Sequence, residues 1–172
     1  LCKWLDGDVS EAHRYFEIAK KTGRDVAEPD RYANAQLREN TFPNSKLLKV
    51  RLYTDGGYYE QAGETIASVS NSDLKSEKDK IEYFYRKARL AEKTGDLDNA
   101  MLYYKKTVAL SGENPWYFAP NSALQLGYIA RTHNDIATAR KYFEQALSYK
   151  KHEYKNSIDG KAKSALEQLN NP

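Results

Sequence analysis

Gly95-Asp96-Leu97-Asp98-Asn99-Ala100-Met101-Leu102-Tyr103-Tyr104-Lys105-Lys106-Thr107 is the stretch that decides the fold. It holds a turn residue, an apolar residue two on, an alanine three further and a large residue four beyond that. The same order recurs at Gly7, Val9, Ala12 and Phe16, at Gly57, Tyr59, Ala62 and Ile66, and at Asn134, Ile136, Ala139 and Phe143. A short residue follows each time at the next turn: Ala19, Val69, Thr107 and Ala146. Helical positions with this spacing share one face, so Leu97, Ala100, Tyr104 and Thr107 point the same way. Alternating bulky and tiny side chains let a second helix come close at the alanine and lock against the aromatic. Asp8, Asp96 and Asp135 stand where helix N-caps are needed, and Glu11 follows Asp8 as in a capping box.

Such a helix cannot bury its face alone. Repeated helical hairpins of this kind stack, which predicts an all-α solenoid. Outward from the quoted stretch, residues 77–94 supply its partner helix, and 121–133 with 135–149 form the next pair. Upstream, Lys46–Thr54 carries Leu47, Leu48, Val50 and Leu52 on a broad apolar surface and pairs with 58–69. Residues 8–22 form a second helix, and Leu1–Asp6 reads as the tail of its partner, as if a longer repeat protein continued before it. Lys161–Leu169, with Ala162, Ala165, Leu166 and Leu169, reads as a terminal helix covering the last hairpin, as solenoids require.

Two connections are long. Between Arg24 and Asn44, Ala33, Ala35 and Leu37 suggest a short inserted helix after Pro29-Asp30, in preference to a loop overhanging a groove. Between Ser111 and Pro120, Asn114-Pro115 offers a helix start, but Pro120 demands a kink or a later start near Ala119. Trp116, Tyr117 and Phe118 either pack over the preceding hairpin, the favoured reading, or form an exposed contact.

The chain resembles the tetratricopeptide repeat family. Ala88, Ala91, Gly95, Leu97, Ala100, Tyr104 and Leu110 carry the likeness in one unit. Leu126, Gly127, Ala130, Ile136, Ala139, Phe143, Ala146 and Leu147 carry it in the next. The two earlier units match mainly in their second helices. The repeating alanines lie 50, 38 and 39 residues apart, against about 34 for the family, so longer connections separate the hairpins. The aromatic expected early in the first helix is Phe84 in one unit and is replaced by Ala123 in the next. The resemblance implies a right-handed α-α superhelix forming one domain over 1–172. Its units span approximately 1–22, 44–70, 77–111 and 116–149, with a capping helix over approximately 158–169. Tyr149–Lys163 is similar to the closing segment of large bacterial-type proteins of this family. That likeness implies the C-terminal part of a longer array and leaves cytoplasm or periplasm open.

Composition agrees with a helical domain. Mean hydropathy is −0.84 and no long apolar run is present, which excludes a membrane-spanning helix. The formal charge of +3 is dispersed and points to no partner class. Single Cys2 allows no internal disulfide, and its place in the first helix suggests packing. His13, His133 and His152 are far apart, and none has a second ligand at metal spacing. Gly56-Gly57 lacks the strand, spacing and Lys-Ser/Thr of a phosphate loop. The sequence therefore shows no catalytic constellation and calls for no cofactor and no metal. A helical-repeat reader of nucleic acid needs regular spacing and a basic stripe, and neither is present.

The resemblance implies a non-catalytic scaffold whose first helices line a concave groove for a peptide or partner protein. Matched position by position, the lining residues are Glu82, Tyr85, Arg86, Arg89, Glu92 and Lys93, then Asn121, Leu124, Gln125, Tyr128, Arg131 and Thr132. Arg51 holds the equivalent place upstream. The candidate ligand-binding set is thus Arg51, Tyr85, Arg86, Arg89, Asn121, Gln125, Tyr128 and Arg131. Arginine forks suit carboxylates and tyrosines give rigid contact area. The competing reading has these arginines paired with Glu82 and Glu92 on a solvated face. If they are free, Arg86→Glu with Arg89→Glu abolishes capture without altering the melt. The Lys/Asn pattern of the family's chaperone-tail clamp is not reproduced. A glycan- or lipid-binding module using the adjacent aromatic pairs is the alternative.

Overall fold

The computed structural model describes residues 1–22, 24, 34, 37–38 and 41–170. Among them are nine α-helices and no strand. They are α1 (Cys2–Leu5), α2 (Val9–Thr22), α3 (Ser45–Asp55), α4 (Tyr59–Ala67), α5 (Glu77–Lys93), α6 (Leu97–Ser111), α7 (Phe118–Thr132), α8 (Ile136–Ser148) and α9 (Lys155–Asn170), with a 3-10 turn at Asn71–Asp73. The inserted helix expected around Ala33 and Ala35 falls largely outside the described residues. Consecutive helices pack as pairs: α1 with α2, α3 with α4, α5 with α6, and α7 with α8. The pairs then stack, α5 against α3 and α4, and α7 against α5 and α6, while α9 closes the far end on α8 and α7. This is a helical-hairpin solenoid with a terminal covering helix.

Local chemistry sets the helix ends. Asp96 and Asp135 cap α6 and α8 by accepting from the Asn99 and Thr138 amides at 3.2 and 3.0 Å. Asn44, just after Pro43, caps α3 through the Lys46 and Leu47 amides. Ser76 and Asp79 form a reciprocal capping box at the start of α5. The box expected at Asp8 and Glu11 is only half made. Asp8 accepts from the Glu11 amide, but the Glu11 carboxylate turns to the Arg14 guanidinium, with both contacts at 2.9 Å. The pair-joining turns need a left-handed residue, and Gly95 (φ 82°) and Asn134 (φ 58°) supply it. Pro120 is the third residue of α7, where the first-turn amides have no intrahelical acceptor, so the later start removes any need for a kink.

The repeated alanines mark the closest contacts. Ala62, Ala100 and Ala139 are fully buried and Ala12 nearly so. Tyr104 and Phe143 are fully enclosed as well, and Thr107 and Ala146 complete the same faces. Gly127 is the tightest point, since a Cβ built there would stand 2.5 Å from Phe143 Cε1. Two large buried clusters result, one centred on Tyr85, Ala88 and Tyr104, the other on Ala139, Phe143 and Ala162. The upstream cluster of Leu47, Val50 and Ile66 is smaller. Phe118 is buried and Trp116 and Tyr117 pack beside it, so the aromatic run covers the preceding hairpin.

Several apolar residues face outward against expectation. Leu52 and Leu110 are about half exposed. Cys2 is exposed. Leu124, expected on the groove, is fully buried in the last cluster. α9 begins at Lys155, several residues before the apolar pattern does, and seats Ile158, Ala162 and Ala165. Just ahead of it, buried His152 sets Nδ1 2.8 Å from the Glu153 carbonyl, and Lys155 pairs with Asp159 at 2.5 Å.

Candidate functional site

α3, α5 and α7 are first helices of their pairs, and α9 lies beside α7 in the equivalent place. Together they surround a hollow of about 250 Å³. α3 contributes Arg51, Thr54 and Asp55; α5 contributes Tyr85, Arg86 and Arg89; α7 contributes Asn121 and Gln125. Tyr117 ahead of α7, Tyr154 ahead of α9, and Lys161 of α9 complete the lining. Residues four apart on one helix stack along one face, which is why Tyr85 and Arg89, and Asn121 and Gln125, arrive there together.

The floor is a bonded polar network. Asn121 Nδ2 donates to the Tyr85 hydroxyl at 2.6 Å. Arg86 is almost wholly buried, and its Nε and Nη2 donate to Glu82 Oε1 at 2.9 and 2.6 Å. Arg86 Nη2 also donates to the Tyr117 hydroxyl at 3.1 Å, and the guanidinium carbon lies 5.3 Å from the Tyr85 ring centroid. Burial disfavours the Arg86 charge, but the Glu82 carboxylate together with the Tyr117 and Tyr85 side chains outweighs it, so the proton is held more firmly than usual. Arg89 Nη1 donates to Glu92 Oε2 at 2.8 Å, and the buried Tyr104 hydroxyl donates to the same oxygen. Burial raises the phenols of Tyr85 and Tyr104 well above their ordinary value, so both stay protonated. Tyr117 stands edge-on to Tyr85 and to Tyr154, with ring centroids 5.4 Å apart in both cases. Arg51 meets Asp55 at 3.6 Å across an exposed turn.

Six of the eight candidate residues therefore line one hollow: Arg51, Tyr85, Arg86, Arg89, Asn121 and Gln125. Tyr128 and Arg131 line a second one, of about 460 Å³, against Ser164, Ala165 and Gln168 of α9. There Arg131 Nη1 donates to Gln168 Oε1 at 2.8 Å. Residues of α7 and of the terminal helix line both hollows, and Lys161 borders both. Arg86 and Arg89 pair with Glu82 and Glu92, as the competing sequence reading had it, but in a sheltered setting. The Arg86→Glu and Arg89→Glu pair of changes would therefore set a new carboxylate beside the sheltered Glu82, and an unchanged melt is not expected.

Sequence reasoning missed Tyr117, Tyr154 and Lys161. Tyr117 was visible within an aromatic run read as packing. Lys161 lies on a helix read only as a cover. Among the described residues no group of three His, Cys, Asp or Glu side chains is placed to hold a metal ion, and no helix is long and apolar enough to cross a membrane. The sequence profile of the tetratricopeptide repeat matches residues 81–114 and 120–153, which are the α5–α6 and α7–α8 pairs with their turns. No curated protein and no solved structure matches the chain.

Proposed function

Because residues 81–114 and 120–153 make this chain a member of the tetratricopeptide repeat family, we propose that it is a non-catalytic scaffold that holds an extended segment of a partner protein in the hollow between α3, α5, α7 and α9. Repeats of this family generally act as protein–protein interaction modules, and solenoids offer concave surfaces for that purpose. One observation carries the assignment to this face. The Tyr85–Asn121 and Arg86–Tyr117 hydrogen bonds fix polar side chains in place around an open hollow, so a bound segment would meet a preorganised surface. The aromatic pairs behind a glycan or lipid reading are largely taken up by packing, with Tyr104 and Phe143 fully enclosed.

Photocrosslinking tests the assignment. A benzophenone side chain introduced at Gln125, inside the hollow, is expected to capture peptides selected on the full chain from a displayed library of random dodecamers. The same group at Lys105, exposed on α6, is expected not to. Equal capture at both places, or capture at Lys105 alone, would overturn the assignment.

A further inference from the structure

Four cationic side chains border the first hollow, and three of them already have a carboxylate. Arg86 is held by Glu82 and Arg89 by Glu92 in largely sheltered pairs, and Arg51 faces Asp55 at 3.6 Å. Lys161 is exposed on α9 and has no ion-pair partner among the described residues. Its charge is the uncompensated one in the hollow. The floor beneath it is also unbalanced in hydrogen bonding. A phenol that accepts one hydrogen bond still has a proton to give. Tyr85 accepts from Asn121 and Tyr117 accepts from Arg86, while the nearby carboxylates of Glu82 and Glu92 are occupied by the arginines. The hollow thus offers hydroxyl donors below and one unpaired ammonium at the wall, and an occupant rich in acceptors matches it.

Resting on the reading of this hollow as a segment-binding groove, we infer that its occupant is an acidic segment, and that Lys161 of the terminal helix is the residue that selects it. A carboxylate of the segment meets the Lys161 ammonium, and main-chain carbonyl oxygens accept from the Tyr85 and Tyr117 hydroxyls. The arginines hold the floor in shape and contribute little to charge selection, because bringing a second carboxylate to each competes with the one it already has. Lys161 lies outside the matched repeats, so selectivity resides on a helix that the repeat pattern describes only as a cover. Its position bordering both hollows lets it select at the junction of the two.

The test uses the full chain and the displayed dodecamer library. Peptides recovered on the unaltered chain are expected to be enriched in Asp and Glu. A fluorescein-labelled recovered peptide is expected to bind about tenfold more weakly to Lys161→Ala and not measurably to Lys161→Glu, with binding to the unaltered chain weakening as salt rises. Lys163→Glu, an exposed change on the same helix, is expected to bind as the unaltered chain does, and thermal melts of all three variants should coincide because both lysines are exposed. Recovered peptides with no acidic bias, or undiminished binding by Lys161→Glu, would overturn this inference while leaving the groove reading intact. Failure to recover any peptide that binds would overturn both.

Discussion

The two ends of the chain repeat the same second-helix pattern, yet they bury it to different depths. In α6 and α8 the alanine, the aromatic and the next short residue are all enclosed. In α2 only Ala12 is buried, Phe16 is half-buried, and Val9, Tyr15 and Ile18 are largely exposed. What packs on the shared face differs. α5 and α7 lie along α6 and α8, with Gly127 against the Phe143 ring. The α1–α2 pair is fastened instead by rings around Phe42. Trp4 stacks on it at 4.7 Å, His13 and Phe16 pack at 4.9 and 5.0 Å, and Trp4 Nε1 donates to the Pro43 carbonyl. A repeat motif therefore states where a helix can be approached closely; the approaching helix decides how much stability results.

The sharpest way to break this contrast is to remove the aromatic at each end. Phe143→Ala is expected to cost about 3–5 kcal/mol in urea unfolding, as for large side chains in closed cores. Phe16→Ala should cost less than about 1.5 kcal/mol, since the site is half open and can relax. Equal losses would show that the motif alone sets stability. The next test concerns ion pairs. Arg86→Ala leaves Glu82 sheltered and unpartnered, at an expected cost of about 3 kcal/mol, while Arg14→Ala, which breaks an exposed pair with Glu11, should leave the midpoint unchanged.

A finer comparison uses two helical glycines. Gly127→Ala drives a methyl into the Phe143 ring and is expected to cost about 1–3 kcal/mol. A Cβ at Gly63 of α4 meets nothing within 4 Å, so Gly63→Ala is expected to raise stability by up to about 1 kcal/mol through helix propensity. Stabilisation by both changes would remove the close contact from the account.

The smallest expected effect is on acid sensitivity. Hydrogen bonds from Asn99 hold the Asp96 carboxyl below its ordinary value, and those from Thr138 do the same for Asp135. A carboxylate whose folded-state value is lowered stabilises fully above its unfolded value of about 4, and that stability is lost as pH falls through the lowered value. Replacing Asp135 by Asn keeps a capping oxygen without the titration, so the acid limb of the melting profile should flatten slightly. A limb as steep as that of the unaltered chain would deny the cap its share.

Much of this was legible in the sequence. Alanine spacing located the pairs and the faces they bury, because close approach leaves a mark at one residue type. The terminal helix was visible in Ala162, Ala165 and Leu166, though its polar first turn hid where it starts. The site was less readable. Family positions brought Arg51, Tyr85, Arg86, Arg89, Asn121 and Gln125 to one hollow, but which charges neutralise each other depends on rotamers, so the free and the paired readings of Arg86 and Arg89 stood side by side. Leu52 and Leu110 are half exposed although they are apolar: a residue type alone does not say which face of its helix is covered. Lys161 went unnoticed because its helix lies outside the repeat pattern.

Amide hydrogen exchange on the full chain, resolved to single residues, tests the central claim most directly. Enclosure of Ala88 and Tyr104 in one cluster and the close approach of Gly127 to Phe143 should make the amides of α5 to α8 the slowest to exchange, with α3 and α4 intermediate and α2 fastest. Uniform protection from α2 to α8, or slower exchange in α2 than in α6, would contradict it.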